Sequence, residues 1–342
     1  MRILVTGHNG YIGTVLTPML IKKGHQVVGI DANIFKRCTF IEDIPEIPSI
    51  DKDIRDIEQR DVEGFGAVIH LAGLSSDPLG GYRPKLCESI NHWATVRLAV
   101  MAKAAGVKRF LFASSYQGYS AGGEGFLDEH AHLTPVASYG LSKVRVERDL
   151  SQLADGGFSP VFLRTGLAYG LSPRMRFDTT VNNLTARACV TGRITLSNKG
   201  NQWRSLVHVE DVARAYVASI NAPRYRIHNE SFNVGLTAEN YRIKDVAIAI
   251  QTIVPFCTIE GSTTNSSQSY SYRLDCNKIA RKLPEFKPQW TIGKGLNQLY
   301  QSFDRVRLRL TDLEGSRFGR VAHVNKLIAE NQLDKNLRWT KG

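Results

Sequence analysis

Apolar residues occur along this chain in two alternating rhythms. Arg2-Ile3-Leu4-Val5-Thr6 is a short β-branched run that ends in glycine. After it, Ile12, Val15, Leu16, Met19 and Leu20 recur at helical spacing, and Gly24 closes the helix. Gln26-Val27-Val28-Gly29-Ile30 reads as a second buried strand ending at Asp31, and further strands are predicted over 67–72, 109–113 and 160–164. Helical stretches separate them, from Leu86 to Ala105 and from Tyr139 to Leu153. Strands without a polar face that alternate with helices predict an α/β fold, a doubly wound parallel sheet covered on both sides. Ligands of such sheets sit outside the carboxyl ends of the strands, which is where the chemistry-bearing residues below fall.

Composition narrows the class. With 342 residues, 42% of them hydrophobic and 22% charged, the chain can bury a core without disulfide staples, as one large or two closely packed domains. No apolar run approaches the roughly 18 residues needed to span a bilayer, and the apolar start is too short for a signal peptide. Cys38, Cys87, Cys189, Cys257 and Cys276 are scattered, odd in number and without CxxC spacing. No metal site or disulfide framework is therefore expected, and a cytoplasmic location fits. The net charge of +12 is spread without runs of five or more basic residues. It points to an anionic small-molecule ligand and a solvated basic surface rather than to nucleic acid or membrane.

Two constellations carry chemistry. In Thr6-Gly7-His8-Asn9-Gly10-Tyr11-Ile12-Gly13, between the first strand and first helix, Gly7 permits the tight turn. Gly10 lets backbone approach a pyrophosphate, and Gly13 lets helix pack on strand. Asp31 at the end of the second strand suits ribose hydroxyls and repels a 2′-phosphate, so NAD is favoured, with Lys36 and Arg37 leaving NADP open. In Tyr139-Gly140-Leu141-Ser142-Lys143, the phenol and the ammonium lie on one helical face. A cation there is expected to bring the tyrosine down from its usual range near 10, as a base for an alcohol proton requires. Alone this pair is more readily a solvated helical face. Ser114-Ser115 stands 24 residues before the tyrosine, at a strand end, where a hydroxyl could hold the substrate oxygen.

With these motifs in order, followed by Asp53-Ile54-Arg55-Asp56 and His70-Leu71-Ala72-Gly73, the chain resembles the extended short-chain dehydrogenase/reductases of the NAD-dependent epimerase/dehydratase group. Trp203-Arg204-Ser205-Leu206-Val207-His208-Val209-Glu210-Asp211-Val212-Ala213 and Phe232-Asn233-Val234-Gly235 extend the likeness to about residue 300. The resemblance implies a Rossmann-type NAD-binding domain over 1–165 with a returning segment near 205–220. It also implies a smaller substrate-binding domain over 166–342 and a homodimer formed by the helices from about Leu86 and from Tyr139. It implies that Gly7, Gly10, Tyr11 and Ile12 cradle the pyrophosphate, that Asp31 binds the adenosine ribose, and that Asp53 and Ile54 flank the adenine. Leu71, Ala72 and Gly73 would line the cofactor, and Tyr139 and Lys143 would reach the nicotinamide ribose. Arg204 would contact the nucleotide or diphosphate of a nucleotide-sugar substrate. Asn91 is read as a packing residue as readily as a site residue, and His70 and His208 as structural.

Departures from the pattern shape the functional expectation. Where dehydratases of the group carry an Asp-Glu pair after the catalytic hydroxyl, this chain has Tyr116-Gln117, which disfavours 4,6-dehydration. The usual V-Y-G reads Gly118-Tyr119-Ser120, and Leu167 replaces an asparagine that touches substrate phosphate. Arg174 and Arg176 could supply replacement cations or simply be surface charge. The expected reaction is epimerisation of a nucleotide sugar at C4 through a keto sugar, with Ser115, Tyr139 and Lys143 as catalytic residues. A net ketoreductase or dehydrogenase is the alternative, ahead of a dehydratase or a non-catalytic NAD-binding regulator. Residues 301–342, with Arg305, Arg307, Arg309, Arg317 and Arg320, lie beyond the family core. Leu308, Leu310, Leu313, Val321, Val324, Leu327 and Ile328 predict amphipathic helices there, packed on the C-terminal domain or on a partner subunit.

Overall fold

The computed structural model describes residues 1–41, 44–74, 83–119, 125–261 and 270–340, which leaves Ser120 of the altered V-Y-G outside the described residues. Seven parallel strands form the main sheet: β1 (Arg2–Thr6), β2 (Gln26–Asp31), β3 (Ser49–Asp51), β4 (Ala67–His70), β5 (Arg109–Ser115), β7 (Ser159–Thr165) and β11 (Glu230–Val234). Their order across the sheet is β11-β7-β5-β4-β1-β2-β3. Side chains alternate across its faces with the period of two expected of strands. Ile3 and Val5 pack on one side with Leu16 and Leu20 of helix α1 (Gly13–Lys22). Leu4 packs on the other with Leu98 and Ala102 of α2 (Ala94–Ala104) and Val146 and Leu150 of α3 (Ser138–Ser151). Each fully buried Leu or Phe of these layers contributes about 1.5–3 kcal/mol.

The remaining elements build a C-terminal lobe. β8 (Leu167–Tyr169), β10 (Trp203–His208) and β12 (Asn240–Arg242) make a three-stranded sheet. β9 (Arg193–Leu196) pairs with β13 (Thr258–Gly261), and β6 (Phe126–Leu127) with β14 (Arg273–Leu274). Helices α4 (Thr180–Thr191), α6 (Ile243–Ile253) and α7 (Ile292–Arg305) enclose a third core around Val181, Ile250, Leu296 and Phe303. Helix α5 (Val209–Asn221) returns to the main sheet, burying Val212 and Tyr216 beside α1. The chain passes from one sheet to the other at Gly166, where a Cβ would lie 2.8 Å from the Ser205 carbonyl oxygen.

Two features depart from the helical periodicity. The stretch expected as one helix from Leu86 to Ala105 contains a π-helical turn, Glu88–Trp93, before α2. The extra residue turns Asn91 inward, where Oδ1 accepts the Leu74 N–H at 2.7 Å and Nδ2 donates to the Leu74 carbonyl at 2.9 Å. Asn91 thus clamps the loop after β4. The C-terminal extension also divides. α8 (Leu310–Glu314) stays with the C-terminal lobe, but α9 (Arg320–Ala329) and the chain beyond it pack on the main sheet, where Val324 and Leu337 join the core of Leu4 and Ile54. Amphipathic spacing shows that a helix has an apolar face but not which surface covers it.

Candidate active site

A cleft runs along the carboxyl ends of β1, β2, β4, β5 and β7, between the main sheet and the C-terminal lobe. At one end the glycine turn is drawn tight. Gly7 has φ +75°, and a Cβ there would meet the Ala72 nitrogen at 2.6 Å. A Cβ on Gly13 would meet the Gly7 carbonyl oxygen at 2.4 Å. Ile12 caps α1 without a side-chain acceptor, and the first turn carries no acid, so the helix N-terminus is free to face an anion. The Asp31 carboxylate accepts the Asn9 N–H at 3.1 Å and the Asn33 N–H at 2.8 Å. Burial raises its pKa, and these two donors pull it back. The residues expected of a dinucleotide site, Gly7, Gly10, Tyr11, Ile12, Asp31, Asp53, Ile54, Leu71, Ala72 and Gly73, all line this cleft. Tyr11 does so while its hydroxyl, buried, donates to the Gly170 carbonyl at 2.7 Å. Asp53 is not free: burial opposes its ionisation, but Arg55 grips both oxygens, at 2.6 and 3.0 Å, and holds it below the usual carboxylate range.

The other end holds Ser115, Tyr139 and Lys143. A close approach makes this possible, since a Cβ on Gly140 would lie 2.3 Å from the Gln117 carbonyl oxygen. The bare glycine lets the start of α3 abut the turn after β5. Ser115 and Tyr139 line the cleft together, the Ser115 hydroxyl favours the ionised form of the phenol, and the same hydroxyl accepts the Gln117 N–H at 3.2 Å. Lys143 Nζ lies 4.6 Å from the Phe112 ring and 5.3 Å from the Tyr139 ring. One turn further along α3, Glu147 pairs with Arg164 at 2.7 Å and accepts from the Ser114 hydroxyl at 2.5 Å, which pins α3 to the ends of β5 and β7.

The electrostatics differ from the expectation that Lys143 brings the phenol toward neutrality. Burial pushes Tyr139 up to about 12, against the pull of the Arg176 guanidinium and the Ser115 hydroxyl. The same burial brings Lys143 down to about 8, with Cys87 and Glu147 pulling the other way. Both groups sit in an apolar pocket that disfavours their charged forms, and Arg176 is the cation that acts most on the phenol.

The three arginines anticipated for substrate separate in space. Arg176 lines the cleft, its guanidinium forked on Asp178 at 2.6 and 3.0 Å. Arg174 is buried behind the glycine turn and donates from Nε to the Asn9 carbonyl at 3.2 Å. Arg204 does not line the cleft: its Nη1 donates to the carbonyls of Trp203 and Tyr270, and its guanidinium lies 5.9 Å from the Tyr272 ring. Tyr272 in turn packs edge-on against Tyr116, a lining residue, at 5.0 Å. His70 is buried between the Thr6 and Thr95 hydroxyls, at 2.6 and 2.8 Å, and burial brings it down to about 3. His208 stacks on Trp290 at 3.9 Å, and burial brings it down to about 4. Both are neutral structural residues.

Gln117, Phe35, Thr179, Arg320 and Leu337 also line the cleft, though no motif in the sequence marks them as site residues. Gln117 stood out only as a departure from the acid pair. Arg320 and Leu337 come from the far end of the chain, and no spacing could bring them here. Among the described residues no group of three or more His, Cys, Asp or Glu is placed to hold a metal, and no helix is long and apolar enough to cross a membrane.

Comparison with known proteins accords with this geometry. Residues 3–235 match the model of the NAD dependent epimerase/dehydratase family. A UDP-glucose 4-epimerase of Yersinia pestis is 26% identical over 326 residues, covering 87% of this chain and 95% of that protein. A UDP-glucose 4-epimerase of Neisseria meningitidis serogroup A is 33% identical over 267 residues, covering 68% of this chain and 77% of its own length. Among solved structures, MoeE5 in complex with UDP-glucose and NAD superposes with a TM-score of 0.77 at 25% identity, covering 90% of this chain and all of that one.

Proposed function

The chain belongs to the NAD dependent epimerase/dehydratase family, and from that premise we propose that this enzyme epimerises a UDP-sugar at C4 through a keto-sugar intermediate. The observation that carries the reading is the juxtaposition of Ser115, Tyr139 and Lys143 at one end of a cleft whose other end is the glycine turn with Asp31. The curated relatives act on UDP-glucose, and MoeE5 is seen with UDP-glucose and NAD. The cradle fits a dinucleotide: a side chain at Gly7 or Gly13 would collide with backbone and open the tight turn, and the N-terminus of α1 has no side-chain cap. The backbone of Gly7, Gly10, Tyr11 and Ile12 would hold the pyrophosphate, Asp31 the adenosine ribose, and Asp53 and Ile54 the adenine edge. Leu71, Ala72 and Gly73 would line the path to the nicotinamide ribose at Tyr139 and Lys143.

A bound nicotinamide supplies the hydride acceptor and donor for the two halves of the reaction and, when oxidised, a positive charge beside the phenol. Tyr139, as phenolate, takes the proton from the sugar hydroxyl in the first half and returns it to the same oxygen in the second. Ser115 holds that oxygen in line with the phenol, and Lys143 orients ribose hydroxyls from below. Tyr116-Gln117, where elimination would need an acid and a base, supply neither, which separates this reading from dehydration. Arg176, reaching the cleft beside Tyr139, is the best placed of the three arginines for a substrate phosphate.

The first test is the purified protein's own cofactor content and its action on UDP-glucose and UDP-galactose followed by NMR. Near-stoichiometric NAD and interconversion of a UDP-sugar pair support the epimerase. Stoichiometric consumption of added NAD or NADPH would replace it with a net dehydrogenase or ketoreductase. We also propose a homodimer through α2, α3 and the π turn, because Trp93 (59% exposed), Val100 and Leu141 leave apolar surface on those helices.

A further inference from the structure

The C-terminal segment brings a buried cation to the cofactor end of the cleft. Arg320 is the first residue of α9 and is only 6% exposed. Its guanidinium lies 4.1 Å over the Phe35 ring, and Nη2 donates to the Arg174 carbonyl at 3.4 Å. Its Nε has no acceptor among the described residues, and neither has Nη1 of Arg174, which is 5% exposed. Arg176 adds a third guanidinium nearby, and the carboxylates that act on the pair are already engaged: Asp178, acting on Arg320, is forked on Arg176, and Asp31, acting on Arg174, accepts the Asn9 and Asn33 N–H groups. A buried guanidinium without a counter-charge is costly. A cation in the first turn of a helix also opposes the helix dipole. Arg320 lines the cleft and Arg174 stands behind it, so an anion against Arg320 would offset the missing counter-charge.

The rest of the segment is fastened to the same end. Trp339 Nε1 donates to the Ala32 carbonyl at 2.6 Å, Arg55 donates to the Asn336 carbonyl at 2.9 Å, and His323 Nε2 lies 3.0 Å from the Ile34 carbonyl oxygen. Ala32 and Ile34 follow Asp31, Arg55 holds Asp53, and Leu337 itself lines the cleft. The segment therefore roofs the adenosine half. The family match ends at residue 235, so family membership assigns nothing to it.

We infer that Arg320, with Arg174 beside it, is a guanidinium site for a diphosphate, and that the diphosphate is the one in the dinucleotide. This rests on the dinucleotide-binding reading above. The Arg174 guanidinium abuts the glycine turn at Asn9, and Arg320 stacks on the loop that follows Asp31, so the pair sits with the adenosine end rather than with Ser115 and Tyr139. A nucleotide sugar would offer the same diphosphate chemistry from the other side of the cleft. Forked guanidinium donors suit it in either case.

Isothermal titration calorimetry of the full chain with ADP-ribose, adenosine and UDP separates these. In Arg320→Gln, affinity for ADP-ribose should fall about tenfold or more, as expected for loss of a charge-assisted bond, while adenosine and UDP are unaffected. Arg320→Lys, which keeps the charge but not the fork, should recover part of the loss, and unfolding midpoints no lower than the parent's should show that α9 stays docked. Equal losses for adenosine and ADP-ribose, or no loss at all, would overturn the site. Loss confined to UDP would overturn its assignment to the dinucleotide. If the unaltered chain fails to bind ADP-ribose, it is the dinucleotide reading that fails.

Discussion

Lys143 is held where its charge is unwelcome, and removing that charge should make the protein more stable while disabling it. The side chain is 5% exposed, and burial lowers its pKa from 10.5 to about 8. At about 1.36 kcal/mol per unit, the native state carries a penalty of about 3 kcal/mol at pH 7, where both native and unfolded chains hold the proton. Lys143→Met keeps the stem volume, places a thioether against Phe112 and removes the ammonium. It should raise stability by up to that amount, or about 4 °C in Tm for a chain of this length. The pH dependence fixes the sign. Between pH 8 and 10.5 the unfolded chain keeps a proton that the native one has released, so the unaltered protein gains stability as pH rises, and the variant lacks this gain. Urea unfolding followed by tryptophan fluorescence at pH 7 and pH 9.5 should therefore show the variant ahead at pH 7 and the gap narrowing at pH 9.5. A variant less stable than the parent at pH 7, or a gap that does not narrow, would refute the view that Lys143 is a strained buried charge.

Tyr139→Phe should lower kcat about 10²- to 10⁴-fold while ADP-ribose binding, measured by calorimetry, stays as it was; comparable turnover would remove Tyr139 as the base. Because the Arg176 guanidinium pulls the Tyr139 phenol down against its burial, Arg176→Gln should move the rising limb of the kcat–pH profile to higher pH. A profile that stays in place would show that Arg176 acts only through substrate contact. Asp31→Asn should weaken NAD binding about tenfold or more and narrow the preference over NADP, with unaltered selectivity counting against Asp31 as the ribose acceptor. In sedimentation experiments Trp93→Arg together with Leu141→Arg should dissociate a dimer; a parent that is already monomeric removes the proposed interface.

The parallel sheet, the glycine turn, Asp31 and the Ser115–Tyr139–Lys143 set were legible from residue order because each depends on local periodicity or short spacing. A short, continuously apolar strand leads into a glycine, and two residues four apart share a helical face, wherever the rest of the chain goes. Close approaches that complete the site were half legible. Gly140 stands in the motif, but only the packing of α3 on the turn after β5 shows why a side chain cannot stand there. The π turn that aims Asn91 at Leu74 has no signature in an otherwise helical pattern.

Electrostatics and long-range delivery were decided by tertiary structure alone. Whether Lys143 lowers the tyrosine depends on how much water both groups lose and on which other cations converge: burial raises the phenol, and it is Arg176 rather than the i, i+4 lysine that pulls it back most. Arg174, Arg176 and Arg204 read alike as basic residues, yet one backs the glycine turn, one faces the cleft and one is tied to backbone carbonyls outside it. The amphipathic pattern of residues 320–329 determined that a helix forms. Only packing placed that helix over the Asp31 end of the cleft, because an apolar stripe specifies burial and leaves the covering surface to the whole fold.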